Sequence, residues 1–473
     1  MIKADFLCLT PLMIIAGAPI LMMLTVAFTR NYKVIFGFSL SAFIFAFLSL
    51  FFVLPAIPYR ISTLFIFDQY SILFSGIIIL ASLLVTLLSY DYLLYQESEK
   101  EEYFIILFVA TLGSLLLVAA CNFVTLFLGL ETLSISLYIL IAYRRSRDHS
   151  IEAGVKYLIL ASVSSAFLLF GMGLIYVNTG SLEFDKIVPA LPSAGYSSPL
   201  LLTGFGMMMV GIGFKLALVP FHMWTPDVYQ GAPVPVTTYI ATVSKGAVMA
   251  LLLRFFFAIR GFQNPGFILI ITIIAILSMF VGNLLALRQQ NVKRILAYSS
   301  IANMGYLLVT LLIGNKTGIH AAIFYIVSYI ITSFGAFGVI TLLSDRQNDA
   351  DKLENYKGLF WKRPWVAIVF TLSLLSLAGI PVTTGFIAKF YIVFTGINSG
   401  LWLLVISLII NSVIGLYYYL RVITALFSPA NEEKLPAISL AGHLVLGLVA
   451  IGILWLGINP EGFVSLISRF SGL

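Results

Sequence analysis

The chain of 473 residues reads as an all-α polytopic membrane protein of about fourteen transmembrane helices, and three observations carry that reading. Hydrophobic residues make up 60% of it and charged residues only 10%, against roughly 25% charged in a soluble domain, and the mean hydropathy is +1.05. Apolar runs long enough to cross about 30 Å of hydrocarbon recur from one end to the other. Lysine and arginine outside those runs crowd onto alternate connections.

The runs fall into four groups in chain order. Spans 1 to 3, at about 7–28, 34–54 and 70–94, form an N-terminal segment 1–94. The first resembles a secretory leader, but its length of about 22 residues and the lack of a small-residue cleavage site make it a retained helix. Spans 4 to 8, at 103–120, 123–143, 152–178, 199–220 and 233–259, fill a segment 103–259. Spans 9 to 13, at 266–288, 293–314, 318–344, 365–396 and 401–427, fill 266–427, and span 14, at 438–458, opens a C-terminal segment 438–473. All belong to a single transmembrane domain, 1–473.

Two spans carry helix breakers. Span 7 places Pro220 one and a half turns after Lys215, and span 12 places Gly379, Pro381 and Gly385 just ahead of Lys389. Interrupted helices in corresponding positions are the mark of an inverted-repeat transporter, so spans 4–8 and 9–13 are expected to be two inverted five-helix repeats with broken helices 7 and 12.

The connections after odd-numbered spans hold fifteen Lys and Arg residues, Arg346 and Lys434 among them, and the opposite face holds six. The positive-inside bias places the odd connections in the cytoplasm and both termini outside the cytoplasm. The net charge of +7 is therefore topology, and no basic stripe with interleaved aromatics points to nucleic acid. Two cysteines, Cys8 and Cys121, form no CxxC pair, and neither GxGxxG nor GxxxxGK[ST] occurs. The sequence thus gives no expectation of a metal, iron–sulfur or nucleotide site on this chain.

The spans nevertheless contain Glu131, Lys156, Lys215, Lys245 and Lys389. A charge at mid-bilayer costs roughly 2.5–3.5 kcal/mol on insertion scales and is kept where it faces protein or water and is used. Glu131 lies about 12 Å into span 5 and Lys245 about 18 Å into span 8, at 1.5 Å per residue, too deep to reach the interface easily. Lys156 follows Glu152 by four residues, so an ordinary interfacial pair competes evenly with a buried role. Arg254 and Arg421, near span ends, read as snorkelling anchors. His222 follows the break in span 7 and reads as a polar plug or an accessory group; His149 looks like a loop residue, His320 and His443 look isolated, and none of the four has metal-ligand spacing.

Buried lysine and glutamate store protons, because burial disfavours the charged form of both and makes neighbouring groups titrate together. An ion pair of Glu131 with Lys215 would hold the lysine protonated. Withdrawal of Glu131 would then drive a proton toward Lys245 and on to Lys389.

The runs GFKLALVPFHMWTPDVYQGAPVPVTTYIATVSKGA at 213–247, GLETLSISLYIL at 129–140, EAGVKYLILASVSSAFLLFGMGLIYVNTG at 152–180, VKRILAYSSIANMGYLLV at 292–309 and LSLAGIPVTTGFIAKFY at 375–391 carry a family likeness. The chain resembles the N-type antiporter-like subunits of bacterial respiratory complex I, the proton-translocating NADH:quinone oxidoreductase, over almost its whole length. The resemblance implies fourteen helices, two inverted repeats and a proton channel, with key residues matching Glu131, Lys215, Lys245 and Lys389 and a further lysine matching Lys156. M-type relatives generally have glutamate where Lys389 stands, and L-type relatives carry a long lateral helix for which no sequence remains after span 14. Where relatives often read SSISHLGY, this chain reads SSIANMGY. Asn303 cannot titrate, so transfer past it would need water ordered by Asn303, Tyr306 or Ser300.

The resemblance further implies a bacterial inner-membrane location among other membrane-arm subunits, with NADH, FMN, iron–sulfur clusters and quinone on partner chains and none bound here. Two other classes answer to the same buried charges: a subunit of a multi-subunit cation/proton antiporter, and a solitary secondary transporter.

Overall fold

The computed structural model describes residues 2–94, 100–145, 147–190, 198–345, 348–429 and 438–470. Arg346 and Lys434 of the charge count lie outside them. Helix α1 (Ile2–Phe28) and α2 (Tyr32–Val53) lead through a hairpin of β1 (Tyr59–Ile61) and β2 (Phe65–Phe67), antiparallel with Arg60 opposite Ile66, into α3 (Gln69–Leu94). The next stretch is α4 (Glu101–Ala119), α5 (Phe123–Ile141), α6 (Asp148–Thr179), the short α7 (Phe184–Ile187), α8 (Pro199–Leu216), α9 (Trp224–Gly231), α10 (Val234–Tyr239) and α11 (Lys245–Ala258). Then come α12 (Pro265–Leu287), α13 (Val292–Ile313), α14 (Lys316–Leu343), α15 (Leu359–Lys362), α16 (Pro364–Ala378), α17 (Thr384–Asn398) and α18 (Trp402–Phe427). Finally α19 (Leu440–Ile458) and α20 (Glu461–Phe470) close the chain.

Thirteen continuous stretches among the described residues are long and apolar enough to cross a membrane, with α10 and α11 counting as one. The fourteenth expected span, span 12, is the pair α16 and α17, each of 15 residues. The interior is built around α10–α11, α13 and α14, whose side chains are almost all buried, while α1, α2, α6 and α18 present bare apolar faces such as Phe45, Phe52, Ile159, Phe170 and Ile406. Apolar residues facing outward are what a lipid-facing helix requires.

Asparagine opens helix after helix. The side-chain oxygens of Asn31, Asn122, Asn264, Asn291 and Asn315 accept from first-turn amides of α2, α5, α12, α13 and α14, satisfying donors that have no partner within the helix. Helices α4 and α5 pack closely as a pair, as do α12 and α13, and α6 lies against α8 as α14 lies against α16.

The two breaks share one geometry. Helix α8 ends at Ala217 in the left-handed region (φ 61°), where the amide of Leu218 donates to Gly213 O at 2.8 Å and that of Ala217 to Phe214 O at 3.0 Å. Helix α16 ends at Gly379 (φ 86°), where Ile380 donates to Leu375 O and Gly379 to Ser376 O, both at 3.0 Å. Each is a Schellman closure, which satisfies backbone groups that lipid could not.

Arg254 departs from the sequence reading. It is buried, and its guanidinium donates twice to the Asp68 carboxylate, at 2.7 and 2.8 Å, with the Tyr70 ring centroid 4.9 Å away. Arg421 caps the end of α12, donating to Leu287 O at 3.0 Å and to Gln289 O.

Candidate functional site: a buried polar line

Lys215 stands on the last turn of α8, two residues before its closing cap Ala217, and is buried. Its ammonium donates to Ser134 Oγ at 2.6 Å and lies 5.3 and 5.4 Å from the ring centroids of Tyr157 and Phe214. Trp224 Nε1 donates to Phe214 O at 2.9 Å, which pins the start of α9 against the end of α8. Glu131 lies on α5 three residues before Ser134 and is only partly buried; its Oε1 accepts from Ser165 Oγ at 2.5 Å. Glu131 and Lys215 are thus neighbours around Ser134, but their charged groups do not meet within 4.0 Å. The expected direct ion pair is replaced by two separate hydroxyl contacts, because α5 turns the carboxylate toward α6 and Ser134 toward α8.

Lys245 is buried at the start of α11, directly after a π-helical turn over Ile240–Ser244. Such turns often accompany functional sites, because the extra residue re-aims the side chains of the next turn. Its ammonium donates to Ser300 Oγ at 2.5 Å, Tyr329 donates to the same oxygen at 2.6 Å, and the Tyr229 ring centroid lies 5.5 Å away. Asn303 is wholly engaged: its Nδ2 donates to Ser299 O at 2.8 Å, and its Oδ1 accepts from Tyr325 at 2.6 Å.

Lys389, near the start of α17, reaches back across the break. Its ammonium donates to Leu377 O, Ala378 O and Ser412 Oγ, all at 2.9 Å. The two carbonyls belong to the C-terminal end of α16, where the helix dipole is negative. The Tyr306 ring centroid is 5.2 Å away, and Tyr306 accepts from Asn283 Nδ2 at 3.0 Å.

Not every candidate joins this line. Lys156 is half exposed and paired with Glu152 at 2.7 Å and Asp227 at 3.0 Å, while Asp227 also meets Arg294 at 2.8 Å. His222 is buried beside the break, with its Nδ1 lacking a hydrogen-bond partner. His149, read as a loop residue, sits exposed on the first turn of α6, and His443 Nδ1 faces Ser439 O at 2.9 Å. Among the described residues no group of three or more His, Cys, Asp or Glu could hold a metal ion.

Other buried cations differ from the three lysines. Lys293 pairs with Asp349 at 3.1 Å, Arg144 approaches Asp349 at 3.4 Å, as does the partly exposed Arg147, and Arg254 holds Asp68. Among the described residues no carboxylate lies within 4.0 Å of the ammonium of Lys215, Lys245 or Lys389; each is held by neutral oxygens. The sequence reading missed those oxygens, Ser134, Ser300 as a direct partner, and Ser412, since nothing marks one serine among many in apolar helices. Of the tyrosines around them, the sequence singles out Tyr306 alone.

Residues 120–415 match the family model for the membrane domain of the NADH:quinone oxidoreductase/Mrp antiporter proteins. A relative from Nitrosospira multiformis called NADH-quinone oxidoreductase subunit N is 45% identical, over 100% of this chain and 97% of its own. A chain of respiratory complex I from Thermus thermophilus superposes with a TM-score of 0.83 at 31% identity, covering 96% of this chain and 98% of that one. A chain of the Mrp complex from Dietzia, at 18% identity and a TM-score of 0.88 over 100% of this chain and 97% of its own, shares the fold. The fold and the family match define an antiporter-like membrane subunit. The chain belongs to the NADH:quinone oxidoreductase/Mrp antiporter family and, within it, to the subunit N group of NADH-quinone oxidoreductase.

Proposed function

We propose that this chain is a proton-translocating subunit in the membrane arm of an NADH:quinone oxidoreductase, moving protons through Glu131, Lys215, Lys245 and Lys389. The observation that carries the reading is the contrast among buried cations. Arg254 and Lys293 have carboxylate partners and serve structure. Lys215, Lys245 and Lys389 have only hydroxyls, carbonyls and ring faces. An ammonium without a counter-charge in a low-dielectric interior is poised between its charged and neutral forms, which is what a proton store needs.

In this reading Glu131 and Lys215 form the switch. They act on each other across Ser134, and a movement of α5 relative to α8 alters their separation and so the hold on the Lys215 proton. Lys245 is the central store and Lys389 the last, its proton stabilised by the end of α16. The matching closures at Ala217 and Gly379 and the matching helix pairings support two inverted five-helix repeats, α4–α11 and α12–α18. Tyr306 and Ser300 contribute directly to the line, and His222 and Lys156 flank it.

Redox chemistry, with NADH, FMN, iron–sulfur clusters and quinone, belongs in this proposal to partner chains, and the neighbours are other membrane-arm subunits. The location is the bacterial inner membrane with both termini extracytoplasmic, from the charge bias. The test is NADH-driven proton uptake by the assembled complex in vesicles: Lys245→Ala should lower it by about 10²-fold or more. Normal uptake in that variant would overturn the proton line, and failure of NADH dehydrogenase activity to co-migrate with the native chain would overturn the assembly.

A further inference from the structure

The interval between Lys245 and Lys389 contains more buried polarity than the two lysines require. From the Lys245 side, Ser300 is followed in space by its chain neighbour Ser299, which hydrogen-bonds Tyr419 OH. The Tyr419 ring lies 4.4 Å, centroid to centroid, from that of Tyr418, and Tyr418 donates to Asn283 Oδ1 at 2.9 Å. Asn283 Nδ2 in turn donates to Tyr306 OH at 3.0 Å, and the Tyr306 ring faces Lys389. Tyr306, Tyr418 and Tyr419 are each at most 2% exposed, and Asn283 is 1% exposed. Asn303, by contrast, spends its amide on Ser299 and Tyr325.

We propose that Tyr419 and Tyr418 relay protons between Lys245 and Lys389, with Asn283 as the positioning residue that holds the Tyr418 and Tyr306 hydroxyls on one amide. The inference rests on the Glu/Lys reading above. The step balances as proton exchange alone. Lys245 gives up one proton, each hydroxyl oxygen accepts one and releases its own, and the neutral Lys389 amine takes the last. Water closes the three intervals that hydroxyls do not: between Ser300 and Ser299, between Tyr418 and Tyr306, and between the Tyr306 hydroxyl and Lys389, which meets only the ring face of Tyr306; the Asn283 amide holds the chain in place but cannot carry the proton.

The competing role for these groups is glue between helices: buried polar side chains in a membrane interior satisfy one another across α12, α13 and α18. Glue and relay separate in one experiment on the assembled complex in vesicles, with NADH-driven proton uptake measured per assembled complex in H2O and D2O. Tyr418→Phe and Tyr419→Phe keep the rings and remove only the hydroxyls. Each is expected to slow uptake about threefold to tenfold, the range of one lost hydrogen-bonded group, and to raise the solvent isotope effect. Incorporating 3-fluorotyrosine at position 418, which restores a hydroxyl, is expected to restore the rate, and Asn283→Leu should match Tyr418→Phe. An unchanged rate and isotope effect per assembled complex, with or without a loss of assembly, would leave only glue and overturn the relay. Lys245→Ala run alongside tells the two readings apart: if it stops uptake while both phenylalanine variants pump normally, the bridge alone falls, and if it pumps normally, both fall.

Discussion

At the scale of the residue, the decisive comparison is between Lys245 and an arginine in its place. Both are cations, but a guanidinium does not release its proton in a protein. Lys245→Arg should therefore pump no better than Lys245→Ala, as read by proton uptake in vesicles, and normal uptake with arginine would rule out a protonation cycle there. The Glu131 and Lys215 pair makes a second test. Since Glu131 and the Lys215 partner Ser134 stand three residues apart on α5, Glu131→Gln and Lys215→Met should depart from additivity by about 1 kcal/mol or more in a double-mutant cycle on coupled activity. Simple additivity would mean that the two do not communicate. The deep charges were legible in the sequence because lipid makes an idle charge expensive. Their partners were not: Ser134, Ser300 and Ser412 come from other spans, and pairing across spans has no local pattern. Arg254 was misread for the same reason, since Asp68 is 186 positions away.

At the scale of the element, the broken helices set where the lysines sit. Gly379 combines a φ of 86° with a neighbour that leaves no space, since a Cβ there would stand 2.8 Å from Lys389 Cδ and 3.2 Å from its Nζ. Gly379→Ala therefore meets a left-handed backbone penalty of about 1–2 kcal/mol and also displaces the ammonium from the end of α16. The expected outcome is an assembled complex with strongly reduced proton uptake, and full uptake would mean that the α16 carbonyls do not position Lys389. Ala217→Gly, at the matching closure, should be tolerated or slightly stabilising in thermal unfolding, because glycine adopts that conformation freely. Pro220, Gly379 and Pro381 announced both breaks in advance. The π turn before Lys245 gave no notice, since Ile240, Ala241, Thr242, Val243 and Ser244 suit an ordinary helix and the turn's neighbours, α14, α3 and α4, come from distant parts of the chain.

At the scale of the whole molecule, Asp349 ties distant segments together. It lies in the connection after α14, receives Lys293 from α13, Arg144 and Arg147 from the connection before α6, and the Tyr92 hydroxyl from α3 at 2.8 Å. Burial alone would raise its pKa, but Lys293 and Arg147 outweigh burial and hold the carboxyl below its usual range. Its stabilising effect is thus present at neutral pH and is lost only as acid reaches it below the ordinary carboxylate range. Asp349→Asn should cost about 3–5 kcal/mol, the range for breaking a buried pair, and a melting temperature unchanged from the parent complex would count against the tie. The order of spans and the membrane class were readable because hydropathy is a property of contiguous sequence. This cross-linking centre was not, because it is assembled from separate segments whose charges the sequence shows only as punctuation between spans.

The divided span has a consequence for how the chain is made. At 1.5 Å per residue, α16 and α17 each measure about 22 Å, short of the roughly 30 Å they must cross, and Lys389 adds roughly 2.5–3.5 kcal/mol against entry into lipid. During synthesis this segment is expected to leave the translocation channel poorly by itself and to need α13 and α14, against which it packs in the folded chain, in place first. Residues 364–398 placed alone in a reporter of membrane insertion should integrate inefficiently, and Lys389→Leu should restore integration. Efficient entry of the unaltered segment would show that the break and its lysine are no obstacle to biogenesis.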